Sequence, residues 1–156
     1  MKAVPTGTVP TPSPCRAAGV LLFHEACVVL AKRCLQYRGR PVPFPGYWSP
    51  FAGAIEEGES PLVAAVRELK EETQLEVELV DLAYITTIDG PARSLVLYAH
   101  ELPSPFQPVL DEEHTEYGYF KINDLHAGPF PLDGEIRRAI SRYETLLRPS
   151  LLGTDD

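Results

Sequence analysis

Two apolar, β-prone runs stand near the start of the chain, RAAGVLLFH over residues 16–24 and ACVVLAKR over 26–33, with a polar break at Glu25 between them. Such runs around a short break predict a hairpin. The next stretch, CLQYRGRPVPFPGYWSP, holds four prolines, each lacking the N–H that a ladder needs, and predicts a loop. A short strand is expected over 51–55. The periodicity then changes to that of a helix over 61–74. Two further β-prone runs, 76–88 and 93–102, flank the turn signal Asp89-Gly90-Pro91, and another strand is expected over 117–122. A second helix is predicted over 132–147, with Ile136, Ile140, Tyr143 and Leu147 on one face and Arg137, Arg138 and Arg142 outside. Strands before and after a central helix, closed by another helix, predict an α/β fold with a mixed sheet covered on both sides. Residues 1–15 are Pro-rich without apolar periodicity and are expected to be a disordered lead-in. One domain is expected over 16–147, and 148–156 as a short tail.

The first helix concentrates the candidate chemistry. Ser60 is a good N-cap and Pro61 suits the first turn, where no amide donor is needed. Leu62, Val66, Leu69 and Thr73 share one stripe, while Glu68, Glu71 and Glu72 fall within an arc of about 100° on another side. The stripe is expected in the core and the three carboxylates outward. Like charges at neighbouring helical positions repel by a few tenths of a kcal/mol per pair, so the cluster is either a solvated acidic face or a site awaiting a cation. Mg²⁺ and Mn²⁺ are hard, prefer oxygen ligands and accept waters and substrate phosphates in the remaining positions. Arg67 could merely pair with Glu71 one turn on, worth about 0.3 to 0.5 kcal/mol at an exposed site. Glu59 could likewise be a first-turn carboxylate favoured by the helix dipole.

Composition narrows the partners. A chain of 156 residues, 44% hydrophobic and 23% charged, fits one soluble globular domain. Its net charge of −8 argues against general nucleic-acid binding, which requires a basic surface. An acidic protein that handles phosphate needs local cations, either a metal or placed arginines. Cys15, Cys27 and Cys34 form no C-x-x-C pair and cannot complete a disulfide framework, so reduced thiols in the cytoplasm are expected. No signal-peptide core and no apolar run long enough to span a bilayer is present, so neither secretion nor a membrane partner is expected.

The stretch from Gly53 to Leu75 has a regular spacing: Gly53, five residues, Glu59, seven residues, then Arg67-Glu68-Leu69-Lys70-Glu71-Glu72, with Leu75 three places on. It resembles the signature of the Nudix hydrolases, G-x5-E-x7-R-E-U-x-E-E-x-G-U with U a bulky aliphatic. The single departure is Gln74, where the family has its last glycine. Glycine there suits a left-handed helix terminus that a Cβ resists by roughly 1 kcal/mol. Altered geometry at the helix end is expected, without loss of catalysis.

The resemblance implies a three-layer α/β/α sandwich over 16–147 and hydrolysis of a nucleoside diphosphate linked to another moiety, by attack of water on one phosphorus. An unmodified or oxidised (d)NTP is the expected substrate. A nucleotide sugar, a dinucleoside polyphosphate, capped RNA, or a non-catalytic nucleotide-sensing role are the alternatives. It also implies Mg²⁺ or Mn²⁺, held by Glu71, Glu72 and the backbone carbonyl of Ala52. Glu68 would then be a ligand to a second ion or the general base, Arg67 would hold the glutamates in place, and Gly53 and Glu59 would support the motif. Ahead of the strand GYFKI, the acidic segment 111–117 looks like the family's E-H-x-E pattern. Glu113 is the first candidate and Glu112 the second for a base or extra ligand, against a solvated acidic loop. His114 has no H-E-x-x-H companion, so no zinc site is expected, and His24, His100 and His126 are read as structural. Arg33, at the end of the second strand, is the candidate phosphate contact, and Trp48 a candidate substrate contact. Tyr37, Phe44, Tyr47 and Phe51 could also stack on a nucleobase, or simply pack onto the domain. The expected partner is a small-molecule nucleotide, with a homodimer left open.

Overall fold

A computed structural model describes residues 15–42, 44–91, 93–125 and 130–149. The hairpin forms as expected from β1 (Cys15–His24) and β2 (Cys27–Arg33), turned at Glu25, whose φ is 53°. Cys15, expected in the lead-in, is the first residue of β1, paired with Arg93. The proline-rich stretch is a loop with three two-residue strands, β3 (Gln36–Tyr37), β4 (Arg40–Pro41) and β5 (Trp48–Ser49). It therefore pairs slightly more than expected, because its one ladder proline, Pro41, lies in an isolated two-stranded ribbon where a missing donor is tolerated. After β6 (Phe51–Ala54) come α1 (Pro61–Thr73), β7 (Ala83–Asp89), β8 (Arg93–Glu101), β9 (His114–Lys121), the short α2 (Ile122–Leu125) and α3 (Gly134–Arg142), which continues as a π-helical segment over Tyr143–Leu147.

One expected strand is shorter than its apolar pattern. The run 76–88 is extended only from Ala83, because a 3₁₀ turn occupies Leu79–Asp81. The Asp81 carboxylate accepts from the Glu78 N–H at 2.9 Å, and Val80 is 91% exposed. Local capping by acidic side chains thus wins over β-propensity.

The sheet topology creates the place for a site. β1 pairs with β8 in parallel from Cys15 to Phe23, but with β2 through only three residue pairs before the two strands splay apart. Two short strands fill the gap: β6 lies antiparallel to Ala17–Val20 of β1, and β5 pairs with Ala31 and Lys32 of β2. β9 covers the other edge of β2, and β7 pairs with the outer edge of β8. A Cβ at Gly19 would lie 2.5 Å from that of Ala52, so glycine in the central strand is what lets β6 come this close.

Both faces of the sheet are covered. Leu21 and Phe23 of β1, with Val28 and Leu30 of β2, pack against Ile136, Ile140 and Tyr143 of the last helix. Val20 and Leu22, with Val29 and Ala31, pack against Ala64, Ala65 and Leu69 of α1. Alternation on two adjacent strands therefore feeds two cores, giving the α/β/α layers. Leu69 is fully buried, and its truncation to alanine would cost about 2–5 kcal/mol. The arginines of α3 are not all outside: the Arg142 and Arg137 guanidinium groups donate to the carbonyls of Ile85 and Phe130.

Candidate active site

The loop from β6 to α1 is tied at both ends. Ser60 caps α1 by accepting from the Val63 N–H at 3.1 Å, and a tight turn over 56–59 places Glu59 under the helix. Arg67 then joins the parts. Its Nε and Nη2 donate to the two carboxylate oxygens of Glu59 at 2.7 and 2.9 Å, Nη2 also to the Ala54 carbonyl at 2.9 Å, and Nη1 to Glu68 at 2.9 Å and Glu71 at 3.3 Å. A guanidinium offers five donors in a fixed planar fork, two more than an ammonium, and so can hold this many acceptors in one arrangement. The Arg67 hydrogen bonds hold the Glu59 carboxyl down to about 2, and Glu59 in turn raises Arg67 above its usual range.

The three signature carboxylates do not face outward together. Glu71 is exposed, Glu68 is half-buried and Glu72 is only 2% exposed. Two small residues explain the difference. Ala64 and Ala65 let α1 approach the sheet with its buried face turned toward the glutamates, whereas Leu62 and Val66 are only partly covered. Glu72 lies about 60° round the helix from Leu69 and goes inside with it. There its Oε1 accepts from the Ala52 N–H at 3.0 Å. Burial, and next the Glu68 charge, push the Glu72 carboxyl up to about 10. Burial raises Glu68 as well, against the opposing effects of Glu72 and Arg67. A Cβ at Gly53 would overlap the Glu68 carboxylate, so the glycine is the seat of that group.

These groups open into a cleft of about 1090 Å³. Ala52, Gly53, Glu68 and Glu72 lie on one side of it and Arg33, Glu113 and Trp48 also line it, while Glu71 and Glu112 do not. The Arg33 guanidinium stands 3.6 Å from the Glu113 carboxylate. Among the described residues, no three carboxylate, histidine or cysteine side chains already converge on one point. The donors nevertheless suit a hard cation: two carboxylates, Glu68 and Glu72, held in one place and each pushed toward protonation by burial, beside a main-chain segment. Mg²⁺ characteristically takes one or two carboxylates and leaves its other positions to water and phosphate.

A family model described as the NUDIX domain matches residues 13–143. The chain belongs to the Nudix family. Among curated proteins it is 33% identical to an ADP-sugar pyrophosphatase of Mus musculus over 141 residues, 85% of this chain and 54% of that one. It is also 42% identical to an octanoyltransferase of Myxococcus xanthus over 80 residues, 49% of this chain and 20% of that one. The chain thus spans about half or less of these relatives. A MutT NUDIX hydrolase from Burkholderia pseudomallei has the same fold, with a TM-score of 0.68 and 22% identity over 83% of this chain and 98% of that one. No helix among the described residues is long and apolar enough to cross a membrane.

Against the Nudix signature, Gln74 is the informative position. Its φ is 68° and ψ 14°, the left-handed terminus that the family's glycine would suit. The expected change of helix-end geometry is therefore not found. The backbone N–H of Gln74 donates to the Lys70 carbonyl at 2.8 Å and its side-chain Nε2 reaches the same oxygen at 3.2 Å, which offsets the strain.

Two features, one beside the cleft residue Glu113 and one in the cleft lining, escaped the sequence reading. Asp111 accepts from the Glu113 N–H and pairs with buried His114 at 2.8 Å, and its charge also raises Glu72. Arg93 lines the cleft at the start of β8, brought there by the parallel pairing with β1. Neither carries a local motif, and only the acidity of 111–116 hinted at the first. His24 and His100 contact backbone carbonyls, consistent with structural roles, and His126 lies outside the described residues. Of the aromatic candidates, Phe51 is fully buried and Trp48 packs on Phe120 and Phe130 while still lining the cleft.

Proposed function

We propose that the protein hydrolyses the diphosphate bond of a nucleoside diphosphate linked to another moiety, in the presence of Mg²⁺ or Mn²⁺, with an unmodified or oxidised (d)NTP as the first substrate to test. One observation carries this: buried Glu72 and half-buried Glu68, the latter held by Arg67, stand together at the wall of a large cleft. Burying a carboxylate such as Glu72 is unfavourable unless a positive ligand arrives. Glu72, the Ala52 carbonyl and Glu68 or Glu71 would hold the ion. When bound, a divalent ion supplies charge neutralisation at phosphate and a lower pKa for water.

The chain's own residues divide the remaining work. Arg67 fixes Glu68 and Glu71 from behind, and Gly53 seats Glu68. Arg33 offers a guanidinium to a phosphate oxygen, for which its planar fork is suited. Glu113 or Glu68 accepts the proton of the attacking water as the new P–O bond forms and the bridging P–O bond breaks, releasing a nucleoside monophosphate and the phosphorylated remainder.

A second reading, a nucleotide sugar, is favoured by further carboxylates: Asp89, Asp133 and Glu135 line the cleft beside Arg93, with Asp133 also capping α3 and Glu135 also paired with Arg138. Carboxylates accept from hydroxyl groups but repel a terminal phosphate. The likeness to a mouse ADP-sugar pyrophosphatase supports the same reading.

The deciding experiment incubates the purified protein with nucleoside triphosphates, nucleotide sugars and dinucleoside polyphosphates, with and without Mg²⁺ or Mn²⁺, and separates the products by chromatography. Mn²⁺ binding is followed independently by electron paramagnetic resonance. Metal and nucleotide binding with no product from any substrate would make the protein a nucleotide sensor instead.

A further inference from the structure

Five aromatic residues lie in or beside the proline-rich loop, but only two are both exposed and open to the cleft. Phe44 is 52% exposed and Tyr47 40% exposed, and both line the cavity that holds Glu68 and Glu72. Large apolar side chains left open to water inside a cleft point to a ligand surface.

Their backbone is specially held. Phe44 has φ 52°, a conformation rare for a bulky residue and rarer before proline, here Pro45, where extended backbone is the rule. The turn is clamped to a single residue: the Arg33 N–H donates to the Tyr47 carbonyl at 2.8 Å, and the Gly46 N–H to the Arg33 carbonyl at 3.1 Å. A third bond, from the Tyr47 N–H to the Phe44 carbonyl at 3.1 Å, closes the turn. Strain kept in place by such bonds is characteristic of functional loops. The same Arg33 that fixes both rings through its backbone sends its guanidinium toward Glu113 in the cleft.

The ring geometry defines the occupant. The centroids are 6.0 Å apart and the planes are inclined by 58°. A third ring cannot slide between them, since van der Waals contact on both faces needs about 7 Å. The pair instead forms a corner, one face for stacking and one edge beside it. A planar heteroaromatic group matches that face best, whereas a bare polyphosphate has no apolar surface to lay against it.

We propose that Phe44 and Tyr47 form the nucleobase platform of the site, positioned by Arg33 so that stacking of the base and contact with the diphosphate are set by one residue. This rests on the nucleotide reading of the cleft. Both rings are specificity residues and neither takes part in the bond-breaking step.

The test measures binding of ADP and of inorganic pyrophosphate to the full chain with Mg²⁺ by calorimetry, and KM and kcat for whichever nucleotide the wild type cleaves. Phe44→Ala and Tyr47→Ala should each weaken ADP binding and raise KM roughly tenfold. Pyrophosphate affinity and kcat should stay within about twofold, as expected for lost uniform binding. Phe44→Leu, which keeps apolar bulk without a π face, should also weaken ADP binding. Unchanged ADP affinity in both alanine variants would overturn the proposal, as would equal loss of ADP and pyrophosphate binding. A change in self-association alone would do so too, because the patch would then be a protein contact. If no nucleotide is cleaved yet the ADP effect appears, the hydrolase reading fails and the platform stands.

Discussion

The Glu68 carboxylate occupies the space where residue 53 would carry a Cβ, so the first glycine of the signature and its first helical glutamate form one steric unit. Gly53→Ala should therefore displace Glu68 without disturbing either core. Misplacement of a reacting group by about 1 Å costs on the order of 100-fold in rate. We expect turnover to fall by about that factor, with a circular dichroism spectrum like that of the wild type. Steady-state kinetics on the cleaved nucleotide tests this, and an active Gly53→Ala enzyme would separate Glu68 from the chemistry.

Glu72 is buried, so a neutral replacement has opposite effects on activity and on metal-free stability. Glutamine can still accept from the Ala52 N–H, and it removes a carboxyl that folding drives toward protonation. In EDTA at pH 7, Glu72→Gln should melt no lower than the wild type, while its turnover with Mg²⁺ drops at least about 100-fold. A variant that unfolds on purification would mean that the carboxyl is needed by the fold.

Chelation offers a parallel check. EDTA should abolish turnover, and restoring Mg²⁺ should raise the thermal midpoint by several degrees, since an ion at 100 times its Kd stabilises the folded state by about 2.7 kcal/mol. The shift should be absent in Glu72→Gln. A midpoint rise of equal size in the variant would place the ion elsewhere.

Much of this was legible in the chain before folding. The signature spacing marked both Arg67 and Glu59 as site residues, but their contact across the turn, eight positions apart and too far for a helical pair, is visible only in the fold. The hairpin and the α1 boundaries were local, written in apolar runs, Ser60 and Pro61. What escaped was tertiary. The inward rotation of Glu72 follows from Ala64 and Ala65 being small enough for close approach to the sheet, which helical periodicity does not weigh. Arg93 reaches the cleft only because β8 lies parallel to β1, a pairing across more than 70 residues.

Gln74 holds the left-handed terminus of α1 with a side-chain hydrogen bond that glycine lacks. Glycine would relieve roughly 1 kcal/mol of conformational strain, while the exposed bond it loses is worth about 0.5 kcal/mol. Gln74→Gly should therefore change stability by less than about 1 kcal/mol, and Gln74→Ala, which keeps the strain and loses the bond, should be the least stable of the three. Urea denaturation of the three proteins orders them, and an alanine variant as stable as glutamine would show that the bond contributes nothing.

The Arg67–Glu59 pair sets a pH window for stability. Its hydrogen bonds hold the Glu59 carboxyl near 2, below the ordinary 4.5 that it regains on unfolding. A depressed folded pKa stabilises the native state fully above the unfolded value, and that contribution is lost as pH falls from about 4.5 toward 2. Between those limits the unfolded chain binds a proton that the folded one does not, so each step toward acid favours unfolding. Glu59→Gln removes the titrating group. Its urea midpoint should be lower than that of the wild type at pH 7, and the gap between them should narrow as pH is lowered through this window. A gap that stays constant from pH 6 to pH 2.5 would mean that Glu59 supports the loop by packing alone, with no part for its charge.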